Sequence, residues 1–257
     1  MNADHPLEQL RASLVRSKKS FGDPTMYSRL SLVEVDGLLH VDWYGQDTYR
    51  LLRILGSRGV AETLKSITLR SPDAGTNGTN SCNLSELVDG DGSFDTLELL
   101  QIQQQSPDDH NGRTVGDCDE ETSALTRLIR KAPVLDGLRS PSTPDASFFD
   151  SGPHPLRWLS VDTAWSTQDF IANLAASTAF GNLRNLEFGE YRSTPRSPEG
   201  GTPFEDYERL FRSTAFDAVQ TFTWRNPLCT PEQIAALKTI RPALRRIKIV
   251  RFSHDWV

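Results

Sequence analysis

The order of apolar and polar residues along the chain repeats one short frame. Residues 156–161 read LRWLSV and residues 183–188 read LRNLEF, both of the form apolar-x-x-apolar-x-apolar. The frame recurs as LLHVDW (38–43), LKSITL (64–69), LELLQI (97–102), LDGLRS (135–140), VQTFTW (219–224) and LRRIKI (244–249). The eight units start at 38, 64, 97, 135, 156, 183, 219 and 244, at spacings of 26, 33, 38, 21, 27, 36 and 25 residues. Side chains alternate across a strand, so each hexad predicts a short strand whose fourth and sixth residues share the core face. The unit at 135 matches least well, because Ser140 stands at its third apolar position.

Between the hexads the period changes from two to that of a helix. SALTRLIRKA (123–132) places Leu125, Leu128 and Ile129 on one helical face, and TQDFIANLAAS (167–177) does so with Phe170, Ile171 and Leu174. FEDYERLFRS (204–213) fits through Phe204, Tyr207, Leu210 and Phe211. TPEQIAALKTI (230–240) adds an N-cap, Thr230, with Pro231 at the first helical position; Thr167 is the expected N-cap of the 167–177 helix. A strand–loop–helix unit cannot bury its apolar face alone, but stacked copies bury it against each other. The three longest spacings contain SPDAGTNGTNS, SPDDHNGRTVGDCDEE and YRSTPRSPEGGTP, whose Gly, Pro, Ser and Asp content predicts insertions near residues 71–83, 104–121 and 191–203.

Eight such units in series resemble the leucine-rich-repeat superfamily, in a divergent form without its usual asparagine after the strand. The resemblance spans about residues 36–250. Within it, FIANLAASTAFGNLRNLEFGEY, FEDYERLFRSTAF and RPALRRIKIVRFSHDW are similar to uncharacterised cytosolic bacterial leucine-rich-repeat proteins. The resemblance implies an α/β fold, a curved solenoid with a parallel concave sheet and helices on the convex side, and a binding role. Residues 36–257 would form the solenoid. Residues 1–35, with the helical period of HPLEQLRASLVRS and the alternation of MYSRLSLVEV, would form an N-terminal cap over its first apolar face.

In that architecture, positions 3 and 5 of each hexad and the next residue but one line the concavity. The candidate partner-binding residues are therefore Asp42 and Tyr44 of the first unit, Arg139, Trp158 and Asp162 of the middle units, and Glu187 and Arg225 towards the end. Trp158 stands out, because a Trp among polar neighbours is a typical anchor for a protein partner. A register slip of one residue would instead place Trp158 in the core.

Composition narrows the chemistry. The 257 residues, 37% of them apolar, include 12 Phe and 5 Trp, enough for a substantial core. No apolar run approaches the roughly 20 residues of a membrane span, and the N-terminus lacks the apolar block of a secretory signal, so a cytoplasmic protein with no membrane partner is expected. Three widely spaced cysteines (82, 118, 229) argue against a disulfide framework. Net charge is −6, with five Lys/Arg and no acid in residues 241–251, a distribution unlike that of a general nucleic-acid binder. From Glu86 to Glu121 there are eleven Asp/Glu and a single Arg. Within this stretch DGDGSFDTLELL (89–100) begins like a calcium loop, but Phe94 stands where that loop needs Gly and Leu100 where it needs Glu. The five histidines show no metal-ligand spacing, and no phosphate loop or nucleophile elbow occurs. His40 and Asp42 share a strand face, yet no nucleophile can be assigned beside them. The expectation is a non-enzymatic scaffold that binds an unidentified protein partner without a cofactor. The alternative is a small-ligand or divalent-cation-dependent protein using the acidic insert 89–121.

Overall fold

The computed structural model describes residues 5–17, 28–73, 78–106, 109, 111–115, 122–163, 166–190 and 201–251. Cys118, His110, His254, the acidic residues 117–121 and most of the third insertion lie outside them.

Each hexad supplies one strand of a single sheet. The strands are β2 (Leu38–Tyr44), β3 (Leu64–Arg70), β5 (Leu99–Ile102), β7 (Gly137–Ser140), β8 (Trp158–Asp162), β9 (Asn185–Gly189), β10 (Thr221–Arg225) and β11 (Arg246–Val250). They lie side by side in chain order and pair in parallel, with β1 (Arg29–Val35) added antiparallel to β2 at one edge. The result is a mixed α/β fold built on a nine-stranded, mostly parallel sheet. Parallel neighbours need a crossover between them, and the segments of helical period provide it. These are α2 (Tyr49–Leu55) and α3 (Arg58–Ala61), α4 (Ser85–Val88), α5 (Thr122–Lys131), α6 (Phe170–Ala176), α7 (Phe204–Arg212) and α8 (Pro231–Ile240), after an N-terminal α1 (Pro6–Ser17). A 3-10 turn at Ala146–Asp150 takes the place of a helix between β7 and β8. The helical elements pack against one another in the same order as the strands.

The register follows the hexads. The third residue of each unit pairs with the third residue of the next: His40, Ser66, Leu99, Gly137, Trp158, Asn185, Thr221 and Arg246 form one continuous row. Fourth and sixth positions point at the helices and are buried from Val41 and Trp43 through to Phe222 and Trp224. Ser140, the polar exception, is also buried, and satisfies itself by donating to the Ser142 carbonyl (2.7 Å) and accepting from the Ser142 N–H (3.1 Å). Towards the C-terminus the core turns aromatic. Phe170 stacks on Phe188 at 5.3 Å, Phe188 meets Tyr207 at 6.3 Å, and Tyr207 meets Trp224 at 4.2 Å. Each such fully buried ring contributes on the order of 1.5–3 kcal/mol.

Local signals explain the element ends, with one correction. Asp36 and Gly37 both have positive φ (52° and 77°), the conformation of a two-residue hairpin turn, and bring Val35 opposite Leu38. Thr230 caps α8 as expected, in a full capping box with Gln233. Thr167 does not cap α6. Gln168 and Asp169 adopt left-handed φ of 48° and 50°, which delays the helix to Phe170 and makes Asp169 the capping position.

The first two insertions meet each other. β4 (Gly78–Cys82) and β6 (Asn111–Val115) pair in parallel as a second, two-stranded sheet. Arg113 ties it to the main sheet, donating to Asp109 (3.1 Å), to the Ser71 carbonyl (3.3 Å) and to the Ser71 hydroxyl, while the Val115 N–H donates to Ser142 Oγ at 2.9 Å. Among the described residues no helix is long and apolar enough to cross a membrane.

Candidate functional site

With the core rows fixed, the odd positions of every strand share the opposite, polar face. The seven candidate residues all lie on it, in two groups. Trp158, Asp162, Arg139, Glu187 and Arg225 gather on β7–β10, whereas Asp42 and Tyr44 sit on β2 near the other edge.

The central group is organised by two glycines. Gly137 of β7 stands beside Trp158 of β8, and a Cβ at Gly137 would come within 3.0 Å of the indole and 2.7 Å of Leu99. The missing side chain lets the ring lie across the strand, half-buried. Arg139 covers it with its guanidinium 5.0 Å from the ring centroid, the geometry of a cation–π contact. Arg139 also lies 3.7 Å from the Glu187 carboxylate. Ser160 Oγ is 3.0 Å from Glu187 Oε2 and 3.1 Å from Gln104 Oε1, so its single proton serves one at a time. Gln104 is itself buried and donates to the Ser140 carbonyl at 3.0 Å.

The second glycine, Gly189 of β9, lies between Asp162 and Arg225 in the register. The two charged side chains meet in an ion pair over its empty position, and a Cβ there would overlap the carboxylate. Asp162 is only 1% exposed, so it does not itself reach a partner; it holds Arg225 in place. Burial pushes its carboxyl up to about 7, against the pull of Arg225, Arg139 and the Gln105 N–H and with a small push from Glu187. Among the described residues one oxygen, Oδ2, has no hydrogen-bond partner, and neither do the buried Nε atoms of Arg139 and Arg225. This corner of the face therefore concentrates charge at a raised desolvation cost.

Near the other edge, Asp42 accepts both its hydrogen bonds from Arg70 Nη2 (2.7 and 2.8 Å), and Arg29 lies over the Tyr44 ring at 4.3 Å. His40 turns to Ser66 Oγ at 2.8 Å. Asp42 and His40 thus face different partners and form no acid–base pair.

Two further buried groups are structural. Glu190, just after β9, accepts from the Thr202 N–H (3.1 Å), Trp224 Nε1 (3.1 Å) and the Leu228 N–H (3.3 Å), and burial raises its carboxyl above the ordinary range. Cys229 nearby is pushed up to about 12 by burial and by the Glu190 charge, which leaves it a thiol and a poor nucleophile. Cys82 is buried as well. A shallow cleft between the two sheets is lined by Arg70, Ser81, Gln103 and Arg113, but its two cations are already held by Asp42 and Asp109.

The described part of the acidic insert is engaged within the protein. Asp89 pairs with Arg127, Asp91 accepts from the Arg58 N–H at 2.9 Å, and Lys131 donates to the carbonyls of Gly90 (2.6 Å) and Gly92 (3.3 Å). A lysine ammonium thus sits on loop carbonyls that a cation would require. Among the described residues no group of three or more His, Cys, Asp or Glu gathers to hold a metal ion.

The sequence pattern places Gly137, Ser160 and Gly189 on the face with Trp158, but not their roles, which come only from neighbours in other units, and it does not indicate Gln104. No family model matches the chain, and no curated protein matches it.

Proposed function

We propose that the chain is a non-enzymatic protein-binding scaffold of the leucine-rich-repeat type, with the polar face of its sheet as the concave docking surface. The observation that carries this reading is Trp158. It is half-exposed in the middle of a row that runs without a register break from β3 to β11, and Arg139 and its neighbours hold it in one orientation. An aromatic ring held among charged and polar groups is the arrangement that anchors protein partners. Arg139, Glu187 and Arg225 form the surrounding polar contacts; Asp162 positions Arg225 from below; Asp42 and Tyr44 mark the far end of the same surface. The three carboxylates of this face are held in ion pairs and no nucleophile is assigned beside them, which supports binding over catalysis.

The test is capture from a lysate of the source cells by immobilised wild-type protein and by Trp158→Ala, read by mass spectrometry. A protein retained by the wild type and lost with Trp158→Ala, while the far-UV circular dichroism of the two is the same, is the expected result. Identical capture by both overturns the reading.

A further inference from the structure

We infer that the partner of this face is an acidic segment of another protein, which sets an apolar residue on Trp158 and carboxylates on Arg246 and Lys248. The inference rests on the docking reading above and deepens it. It comes from the distribution of charge over the sheet. Following the register across all nine strands, the polar face carries Arg29, Arg70, Arg139, Arg225, Arg246 and Lys248 against Asp42, Asp162 and Glu187. A chain with a net charge of −6 therefore turns a net positive surface outward here. All three carboxylates are already paired, with Arg70, Arg225 and Arg139 respectively.

The cations left over lie at the ends of the face. Arg29 rests on Tyr44, while Arg246 and Lys248 are exposed on β11 and pair with no carboxylate among the described residues. Charged side chains on an edge strand also keep it from pairing with other sheets, but that role is served by either sign. Here every charged residue from 241 to 251 is basic. A one-signed patch beside an aromatic anchor selects and steers an oppositely charged partner. Nucleic acid fits less well, because Glu187 lies on β9, next to the strand of Trp158, and a polyanion running across the strands towards the basic pair would pass its carboxylate.

The geometry sets the spacing. Trp158 and Arg246 occupy the same row three strands apart, which is about 14 Å. An extended segment crossing the strands covers that distance in about four residues. Asn185 and Thr221, uncharged hydrogen-bonding residues, lie between.

The experiment uses the full chain and three labelled probes in a fluorescence-anisotropy titration. The first is a synthetic peptide with a leucine followed four residues later by two glutamates. The second is the same peptide with lysines in place of the glutamates, and the third is a single-stranded oligothymidine. The acidic peptide is expected to bind, with affinity weakened by salt and by about tenfold or more in the double variant Arg246→Glu, Lys248→Glu. The lysine peptide is expected to bind the double variant better than the wild type, a charge swap that a merely unfolded variant cannot produce. Equal binding of the acidic peptide to both proteins, tighter binding of the oligothymidine, or no binding of the acidic peptide overturns the inference. Lysate capture separates this outcome from failure of the docking reading: a partner that depends on Trp158 but not on the basic pair removes only the acidic-partner inference.

Discussion

Asp162 and Arg225 lie two strands apart in the sheet and still form an ion pair, because Gly189 in the strand between them has no side chain to obstruct it. Two strand spacings are about 9.6 Å, a gap the Arg side chain spans only by lying flat over β9. The pair is therefore a property of three residues, and each can be tested.

Gly189→Ala places a methyl group where the carboxylate lies. Overpacking of this kind costs about 1–3 kcal/mol, or roughly 2–10 °C of Tm for a chain of this size. Gly181→Ala, where an added Cβ meets nothing, is the control and leaves thermal unfolding by circular dichroism nearly unchanged.

Asp162 makes stability pH-dependent in a direction opposite to that of most carboxylates. Its folded value of about 7 lies above its ordinary 3.8, so the folded state holds the proton more tightly. Its contribution is fully present below about 3.8 and is lost as pH rises through about 7. The difference in Tm between wild type and Asp162→Asn should therefore shrink from pH 5 to pH 8. A difference that widens over this range would contradict the assignment.

His154 acts in the opposite sense. It is buried, with Nε2 3.1 Å from the Ala132 carbonyl and Nδ1 accepting from the Leu156 N–H at 3.3 Å, and burial lowers its value below 6.5. The stability it supplies is present above pH 6.5 and is lost as pH falls through the depressed folded value. Replacing it with Gln should flatten the acid limb of the Tm-versus-pH curve, measured relative to wild type.

The two candidate caps differ. Thr230→Ala removes a capping box and is expected to cost about 1 kcal/mol. Thr167→Ala removes only a weak 3.4 Å bond from the Asp169 N–H outside the helix, and urea unfolding should show a far smaller loss.

Calcium or magnesium at millimolar concentration should leave Tm unchanged, because Arg127, Lys131 and the Arg58 N–H occupy the oxygens of the 89–92 loop. A clear upward shift would restore the cation-dependent alternative.

These cases show what kind of information the chain order carries. The apolar frame predicts which residue of each hexad faces the core to within a slip of one residue, and the strands from Ser66 to Arg246 pair in the register of that frame. The frame names the neighbour of each residue in the next strand, but not the packing, burial or ion pairing that results there. Hence Trp158 reads as a surface residue unless the register slips by one, and its packing against Gly137 is seen only in the structure. Asp162 reads as an outward acid, and becomes buried only because Gly189 and Arg225 arrive from the following two units. Thr167 looked like a cap because Gln168 and Asp169 carry no mark of the left-handed conformation they adopt. The strands GTNSC and NGRTV are polar except for their last residues, Cys82 and Val115, and show no alternation to announce a second sheet.

That small sheet has a practical corollary for anyone trimming the protein. β4 and β6 come from different units, and each finds its partner strand in the other. Excising one insertion would leave the survivor with a bare backbone edge and would strip Arg113 of Ser71 or of its own strand. The two loops are joint property: a minimal version of the fold must discard both or keep both, and the stability effects of the two deletions should fall well short of additive.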